Sequence, residues 1–381
     1  MKRYLSAALA AVLLFFACPV AAKAAPAGPE INGASAVLME KETGEFLFTF
    51  NEHDRLEPAS VTKIMTLLLV MEAVDSGALS LDDTVQVTAR AASMGGSQVY
   101  LEEGETMTVH DLLKAVAVAS GNDAAVALAE HLAGSESTFV ERMNARAAAL
   151  GMVDTTFMNC TGLPAAGHLT SAHDIAIMSR ELILKHPKIQ EYSTIWMDSL
   201  RDGAFQLANT NKLVRFYEGC TGLKTGFTDS AGYCVSATAQ RGGMELIAVV
   251  MKSETIETRS ATATALLNYG FANYTVLDVK PPQALPPVAV LLGESEQIQP
   301  VLGGTSRVLV EKSKINEVET SISLVKDVEA PVEAGQKLGE MTVTVSGEVR
   351  EVIPILAIQE VDRLTIPGIF KSLLDRFFMA K

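Results

Sequence analysis

Hydrophobic periodicity changes twice along this 381-residue chain, and the order of those changes limits its fold more than any other feature. Ser35–Glu40 and Glu45–Phe50 alternate like strands around the turn Lys41-Glu42-Thr43-Gly44. Helical spacing then takes over, in Ser60–Val74, Val109–Ala119, Asp123–Leu132, Thr138–Leu150 and Ala172–Leu184, with Gly-bearing turns between. Strands return at Leu223–Thr228, Tyr233–Ala239 and Met244–Met251, and a helix over about Ile256–Tyr269 closes the region. Strands at both ends of a helical block predict one α+β unit whose sheet joins the two ends.

Lys280-Pro281-Pro282 and Pro286-Pro287 read as a linker. Beyond it, the short alternating runs Arg307–Glu311, Ser321–Lys326, Met341–Val345 and Val352–Ala357 predict a small all-β domain. At the other end, Lys2 and Arg3, the apolar run Leu5–Ala17, and Ala22 and Ala24 at the −3 and −1 positions make residues 1–24 an export signal. Cleavage after Ala24 removes Lys2, Arg3 and Lys23 and no acid, so the net charge moves from −14 to −17. A chain this acidic lacks the electrostatic footprint of a nucleic-acid binder. Three cysteines would remain: Cys160, Cys220 and Cys234. That is no disulfide framework, although one Cys220–Cys234 bridge is possible. Without a C-x-x-C pair or a tight His/Cys cluster, no metal or other cofactor is expected.

Chemistry is carried by three short motifs in order: Ser60-Val61-Thr62-Lys63, Ser120-Gly121-Asn122 and Lys224-Thr225-Gly226. Taken singly, each also fits a bland role: a helix cap, a helix–helix turn and a strand entry. S-x-x-K occurs a second time, as Ser323–Lys326, but in a strand-like run whose odd separation sends the two side chains to opposite faces. Ser60 and Lys63 instead open a helix, where i and i+3 share a face. The rest of that helix, Ile64–Met71, is apolar nearly all round, the mark of a buried helix that holds its first turn rigidly. Burial would favour the neutral amine of Lys63, which could then take the serine proton. Lys224 and Thr225 can bind a carboxylate, Gly226 lets a substrate backbone approach, and an exposed edge there could accept an extended peptide as an added strand.

Together the motifs and their surroundings resemble the penicillin-binding D-alanyl-D-alanine carboxypeptidases, low-molecular-mass serine peptidases of cell-wall metabolism. The matching stretches are Glu57–Lys63, Ala119–Ala124, Asn159–Pro164, Asn209-Thr210-Asn211 and Gly222–Thr228, and the resemblance covers nearly the whole mature chain. In many relatives His follows K-T-G, whereas here Phe227 does. The resemblance implies a β-lactamase/transpeptidase-like domain over 31–275, an antiparallel sheet with helices on both sides and a helical subdomain. It also implies a β domain over 276–366. It further implies that Ser60 attacks the carbonyl between two terminal D-alanines with Lys63 as base. Ser120 would relay a proton to the leaving amine, Asn122 would hold the substrate amide, and Lys224, Thr225 and Gly226 would bind the terminal carboxylate end. Partners would be peptidoglycan stem peptides, with β-lactams as inhibitors that trap Ser60.

In the tail, Ile369, Phe370, Leu373, Leu374, Phe377 and Phe378 recur at helical spacing, opposite Lys371, Asp375, Arg376 and Lys381. Residues 367–381 are too few to span a bilayer but suit an amphipathic helix lying on it, which predicts an exported protein held peripherally on the outer face of the bacterial cytoplasmic membrane. Two other functions stay open at this stage. A β-lactamase shares the three motifs, but the glutamate of an E-x-x-x-N element is missing between Ser120 and Lys224. A non-catalytic peptidoglycan-binding scaffold would have no need of intact motifs.

Overall fold

The computed structural model describes residues 28–370. The hairpin expected near the N-terminus forms as β1 (Ser35–Glu40) and β2 (Phe46–Phe50). Much later in the chain come β3 (Cys220–Thr228), β4 (Gly232–Arg241) and β5 (Met244–Ser253). They make one sheet in the order β2-β1-β5-β4-β3, antiparallel throughout, so β1 lies against β5 and the two ends of the segment meet. Alternate residues of the central strands serve two cores. Val37, Met39, Ile247, Val249 and Met251 face the helical block, whereas Ala36, Leu38, Leu246, Ala248 and Val250 face Ala263, Leu266 and Leu267 of the closing helix. Burial on both faces explains why these strands read as unbroken apolar runs.

The helical block contains α1 (Lys63–Asp75), α2 (Val109–Val118), α3 (Asn122–Ala133), α4 (Glu136–Ala149) and α5 (Ala172–Lys185), and α6 (Ile256–Asn273) covers the far face of the sheet. Their starts are set by side chains that accept otherwise unpaired backbone N–H groups: Thr108 from Asp111, Ser135 from Thr138, Ser171 from Asp174, and a Thr255–Thr258 capping box. In α1 the residues from Lys63 to Leu68, with Val70 and Met71, are buried, as the all-round apolar pattern required. Helix α6 packs so closely on the sheet that a Cβ on Gly270 would stand 2.5 Å from Leu246.

Three local features differ from the sequence reading. The first turn of the Ser60 helix is 3-10 over Ala59–Thr62 and becomes α only at Lys63. Two antiparallel strand pairs, Thr84–Gln86 with Thr106–Thr108 and Met197–Leu200 with Phe205–Ala208, are too short to show a period of two in the sequence. Cys220 lies opposite Ala239 and Cys234 opposite Gly226, six residues further along β3. At about 3.3 Å per residue that separation is near 20 Å, against a Cα limit of about 7 Å for a disulfide, and both thiols are free.

After α6 the chain enters strand Tyr274–Asp278, paired with Arg307–Glu311. Leu309 of that second strand belongs to the α6-side core, while Val308 and Val310 pack into the next one, which ties the two regions together. Apart from a 3-10 helix over Lys312–Glu317, the module after that pair is built of β: a four-stranded sheet in the spatial order Pro300–Leu302, Glu348–Ala357, Lys337–Val345, Val318–Leu324, and a smaller three-stranded sheet. Ser323 sits in one of these strands and Lys326 just beyond its end, both exposed. Residues 366–370 are helical and Phe370 is exposed; the rest of the expected tail helix, like the export signal, lies outside the described residues.

Candidate active site

The three motifs converge where α1, α3 and edge strand β3 meet. Lys63 is wholly buried and its Nζ donates to three oxygens: Ser60 Oγ at 2.9 Å, Asn122 Oδ1 at 2.6 Å and the Thr161 carbonyl at 2.7 Å. The 3-10 turn assists, since residues three apart eclipse one another in that geometry and Lys63 comes directly over Ser60. Burial lowers the Lys63 pKa to about 7, against weaker raising effects from Cys160 and Asp123. The amine is thus poised to exchange a proton near neutrality while touching a serine hydroxyl.

Close approach of backbone fixes the position of Ser60. Ala59 has φ +48°, and a Cβ on Gly162 would fall 1.8 Å from the Ala59 carbonyl oxygen. From the other side, a Cβ on Gly226 would stand 2.8 Å from both the Pro58 carbonyl oxygen and the Ser60 nitrogen. Glycine is required at both places, because the Ser60 turn is clamped between the Asn159–Pro164 loop and β3. The Asn159 carboxamide oxygen organises that loop by accepting the N–H groups of Thr161 and Gly162. One turn along α1, Thr66 donates to the Cys160 carbonyl.

Ser120 occupies the break between α2 and α3 with φ +64°, and its Oγ is buried with no hydrogen-bond partner among the described residues. Asp123 holds the neighbouring loop by accepting the N–H groups of Val99 and Leu101. Asn122 differs from the sequence reading in its primary engagement: its oxygen is taken by Lys63 and its Nδ2 donates to the Gly95 carbonyl at 2.6 Å. One Nδ2 hydrogen is left over for a further acceptor.

Lys224 and Thr225 lie on β3, with the Lys224 amine close enough to feel the Lys63 charge. The buried Lys224 Nζ donates to the Thr225 carbonyl at 2.9 Å, and Thr225 Oγ1 donates to Thr210 Oγ1 at 2.7 Å. Burial drives the Lys224 pKa well down, and the charges of Lys63 and Arg259 push the same way. Asn211 Nδ2 donates to the Gly222 carbonyl, and the Thr210 N–H to the Val118 carbonyl at the end of α2, so Asn209-Thr210-Asn211 stitches β3 to the helices.

Two groups escaped the sequence reading. Arg259 is 5% exposed, its Nε has no hydrogen-bond partner among the described residues, and it adds a second cation beside Lys224. The signal was available: Arg259 shares the buried face of α6 with Ala263, Leu266 and Leu267, where an arginine is out of place. His168 accepts the Met158 N–H at Nδ1, so its Nε2 carries the proton donated to Thr62 Oγ1 at 2.8 Å, and burial lowers its pKa to about 4. This neutral histidine braces the serine turn, and its place beside Thr62 is invisible in one dimension.

A serine hydroxyl paired with a buried lysine, on a two-sided antiparallel sheet whose edge strand carries K-T-G, defines the penicillin-binding class of serine hydrolases. Solved structures agree: penicillin-binding protein 5 of Haemophilus influenzae superposes with a TM-score of 0.77 at 29% identity, over 89% of this chain and all of that one. Penicillin-binding protein D2 of Listeria monocytogenes in its ampicillin-bound form gives 0.58 at 35%, over 63% of this chain and 98% of that one. The sequence model for D-alanyl-D-alanine carboxypeptidase matches residues 21–255, and that for the penicillin-binding protein 5 C-terminal domain matches 283–363. D-alanyl-D-alanine carboxypeptidase DacF of Bacillus subtilis is 41% identical over 95% of each chain, and DacC of Escherichia coli 31% over all of this chain and 96% of its own. The chain belongs to the D-alanyl-D-alanine carboxypeptidase family and is a serine-type carboxypeptidase, which settles the choice against the β-lactamase and the non-catalytic scaffold.

Proposed function

We propose that Ser60 is the nucleophile that removes the terminal D-alanine from peptidoglycan stem peptides, with neutral Lys63 as its base. The observation that carries this is the 2.9 Å contact between Lys63 Nζ and Ser60 Oγ, made by an amine whose pKa burial lowers to about 7. The Ser60 proton passes to Lys63 as Oγ bonds to the penultimate D-alanine carbonyl carbon. Backbone N–H groups of Ser60 and Phe227 receive the resulting oxyanion, a role worth about 3–4 kcal/mol per donor in comparable sites. Collapse breaks the peptide bond, and Ser120 passes the proton to the leaving amine. Water then attacks the acyl-Ser60 ester and the proton returns to Ser60. Lys224 and Thr225 bind the terminal carboxylate, with Gly226 leaving room for the backbone. Asn122 acts first by positioning Lys63, and its free N–H meets the substrate amide. A β-lactam follows the same first step and stalls at the ester.

Residues 31–275 form the catalytic unit in this reading, 276–366 a β module, and 367–381 a helix that holds the exported enzyme to the membrane surface once residues 1–24 are removed. Support for the tail is its pattern of six apolar residues at helical spacing and its net charge of +2 over Gly368–Lys381. Among the described residues no helix is long and apolar enough to cross a membrane. The decisive experiment labels the purified protein with fluorescent penicillin. Ser60→Ala should lose both labelling and D-alanine release, and Ser323→Ala should retain both; full labelling of Ser60→Ala would remove Ser60 from the mechanism.

A further inference from the structure

The loop 95–101 and the turn between strands Met197–Leu200 and Phe205–Ala208 enclose a groove of about 620 Å³ that the reaction just described does not use. Both rims are tied to active-site residues. Asn122 donates its backbone N–H to the Ser97 carbonyl at 2.7 Å, and Asp123 holds Val99 and Leu101. Strand Phe205–Ala208 runs directly into Asn209 and Thr210, whose hydroxyl accepts from Thr225. Arg201 joins the rims: Nε and Nη2 pair with the two Glu105 oxygens at 2.7 and 3.0 Å, Nη1 donates to the Val99 carbonyl at 3.0 Å and Nη2 to the Tyr100 carbonyl at 3.1 Å. Tyr100 and Arg201 both take positive φ, +55° and +53°, which is uncommon for bulky side chains and marks segments held in place by their surroundings. With the backbone around it pinned, the Tyr100 ring stays 70% exposed and meets Phe205 edge to face, with centroids 6.1 Å apart and planes 66° apart.

The charges in the groove select its ligand. Glu102 and Glu103 are exposed on the rim, neither in an ion pair among the described residues, so an anion is repelled. A cation is disfavoured as well, because the Arg201 guanidinium already lies 5.8 Å from the Phe205 ring centroid and Glu105 is spent on it. What remains is a neutral ligand with apolar faces and a hydroxyl-rich edge. A pyranose has that form: its C–H groups pack on the negative face of an aromatic ring, and its hydroxyls donate to carboxylates. We propose that this groove binds a neutral glycan, the strand from which the peptidoglycan stem peptides hang. Tyr100 supplies the stacking face, and Glu102 and Glu103 accept from the sugar hydroxyls. A volume of about 620 Å³ falls within the usual span of about 300–1,000 Å³ for small-ligand sites. Holding the strand beside Asn122 raises the local concentration of its stem peptides at the reaction centre. Taking the wall strand as the source of the glycan rests on the peptidoglycan substrate of the proposed function; the groove itself does not depend on Ser60.

The test titrates the leader-cleaved protein with tetra-N-acetylchitotetraose by calorimetry, where wild type should bind with a Kd of about 1 mM. One stacked ring is worth about three- to tenfold. Tyr100→Ala should therefore weaken binding by that factor and Tyr100→Phe should retain it. Glu102→Gln combined with Glu103→Gln, which keeps the shape of the rim, should weaken binding by at least about twofold. On the substrate side, the ratio of kcat/KM for pentapeptides carried on glycan strands to that for the free pentapeptide should fall in Tyr100→Ala by the same factor as the binding. No saturable binding to wild type up to about 20 mM, or equal binding by wild type, Tyr100→Ala and the double variant, overturns the site. Binding of the fully deacetylated tetraose alone makes it a cation site and overturns the neutral ligand. An unchanged kcat/KM ratio in a variant that has lost oligosaccharide binding removes the wall strand as occupant. Penicillin labelling of Ser60 is read separately, so each of these failures leaves the Ser60 reading intact.

Discussion

Replacing Lys63 by methionine isolates the free energy stored in one buried amine. The lysine falls from its ordinary 10.5 to about 7 because burial disfavours its charge. The sign follows from proton counts. Between about pH 7 and 10.5 the unfolded chain holds the Lys63 proton and the native chain does not, so stability rises with pH across that window. Below pH 7 the penalty is complete. A difference of about 3.5 units corresponds to about 5 kcal/mol, of which about 2 kcal/mol is left at pH 9. Urea unfolding of wild type and Lys63→Met at pH 6 and pH 9 should thus give a stability difference that shifts by about 3 kcal/mol in favour of wild type at the higher pH. Losing the donor to Ser60, Asn122 and Thr161 adds a cost, but one independent of pH. Lys224 titrates in both proteins, and its repulsion from a charged Lys63, present only in wild type, moves the difference in the same direction. The same amine should set acylation: the rate of penicillin labelling should climb through an apparent pKa near 7 in wild type. A stability difference that stays flat between pH 6 and 9, with labelling flat through pH 7, would mean that Lys63 stays charged in the fold, and the general-base assignment would fall.

Two more outcomes probe different levels of the structure. Gly162→Ala places a methyl 1.8 Å from the Ala59 carbonyl oxygen at φ +85°, so the serine turn must move; penicillin acylation should drop at least tenfold, and an unchanged rate would show that the clamp does not position Ser60. Deleting Gly368–Lys381 should shift the leader-cleaved protein from the membrane fraction to the soluble fraction with peptidase activity intact, whereas continued sedimentation with membranes would show that the tail is not the anchor.

Local signals survived translation into three dimensions wherever a residue's role depends on its own segment. The apolar run Ile64–Met71 demanded burial on all sides, and α1 is buried from Lys63 to Leu68 and at Val70 and Met71. A three-residue separation on a helical turn put Ser60 and Lys63 in contact, and the same spacing across a strand end left Ser323 and Lys326 at the surface. The order of strands, helices and strands required a sheet that joins both ends, and β1 lies against β5. These features rest on backbone periodicity, which is written residue by residue.

Partner choice across the fold is not written that way. Asn122 spends its oxygen on Lys63, whose amine also reaches Ser60 Oγ and the Thr161 carbonyl, a grouping set by where α3 packs against α1. Arg259 stands beside Lys224 although 35 positions separate them, and His168 braces Thr62 from 106 residues away. Cys220 and Cys234 looked close enough to bridge until the register of β3 on β4 held them apart. Sequence alone determined which segments are buried, which turns carry the reactive groups and in what order they come. Tertiary structure decided which polar groups meet, because each buried donor and acceptor must find its partner among whatever packing brings within about 3 Å, and the Lys63 pKa follows from that enclosure rather than from its neighbours in the chain.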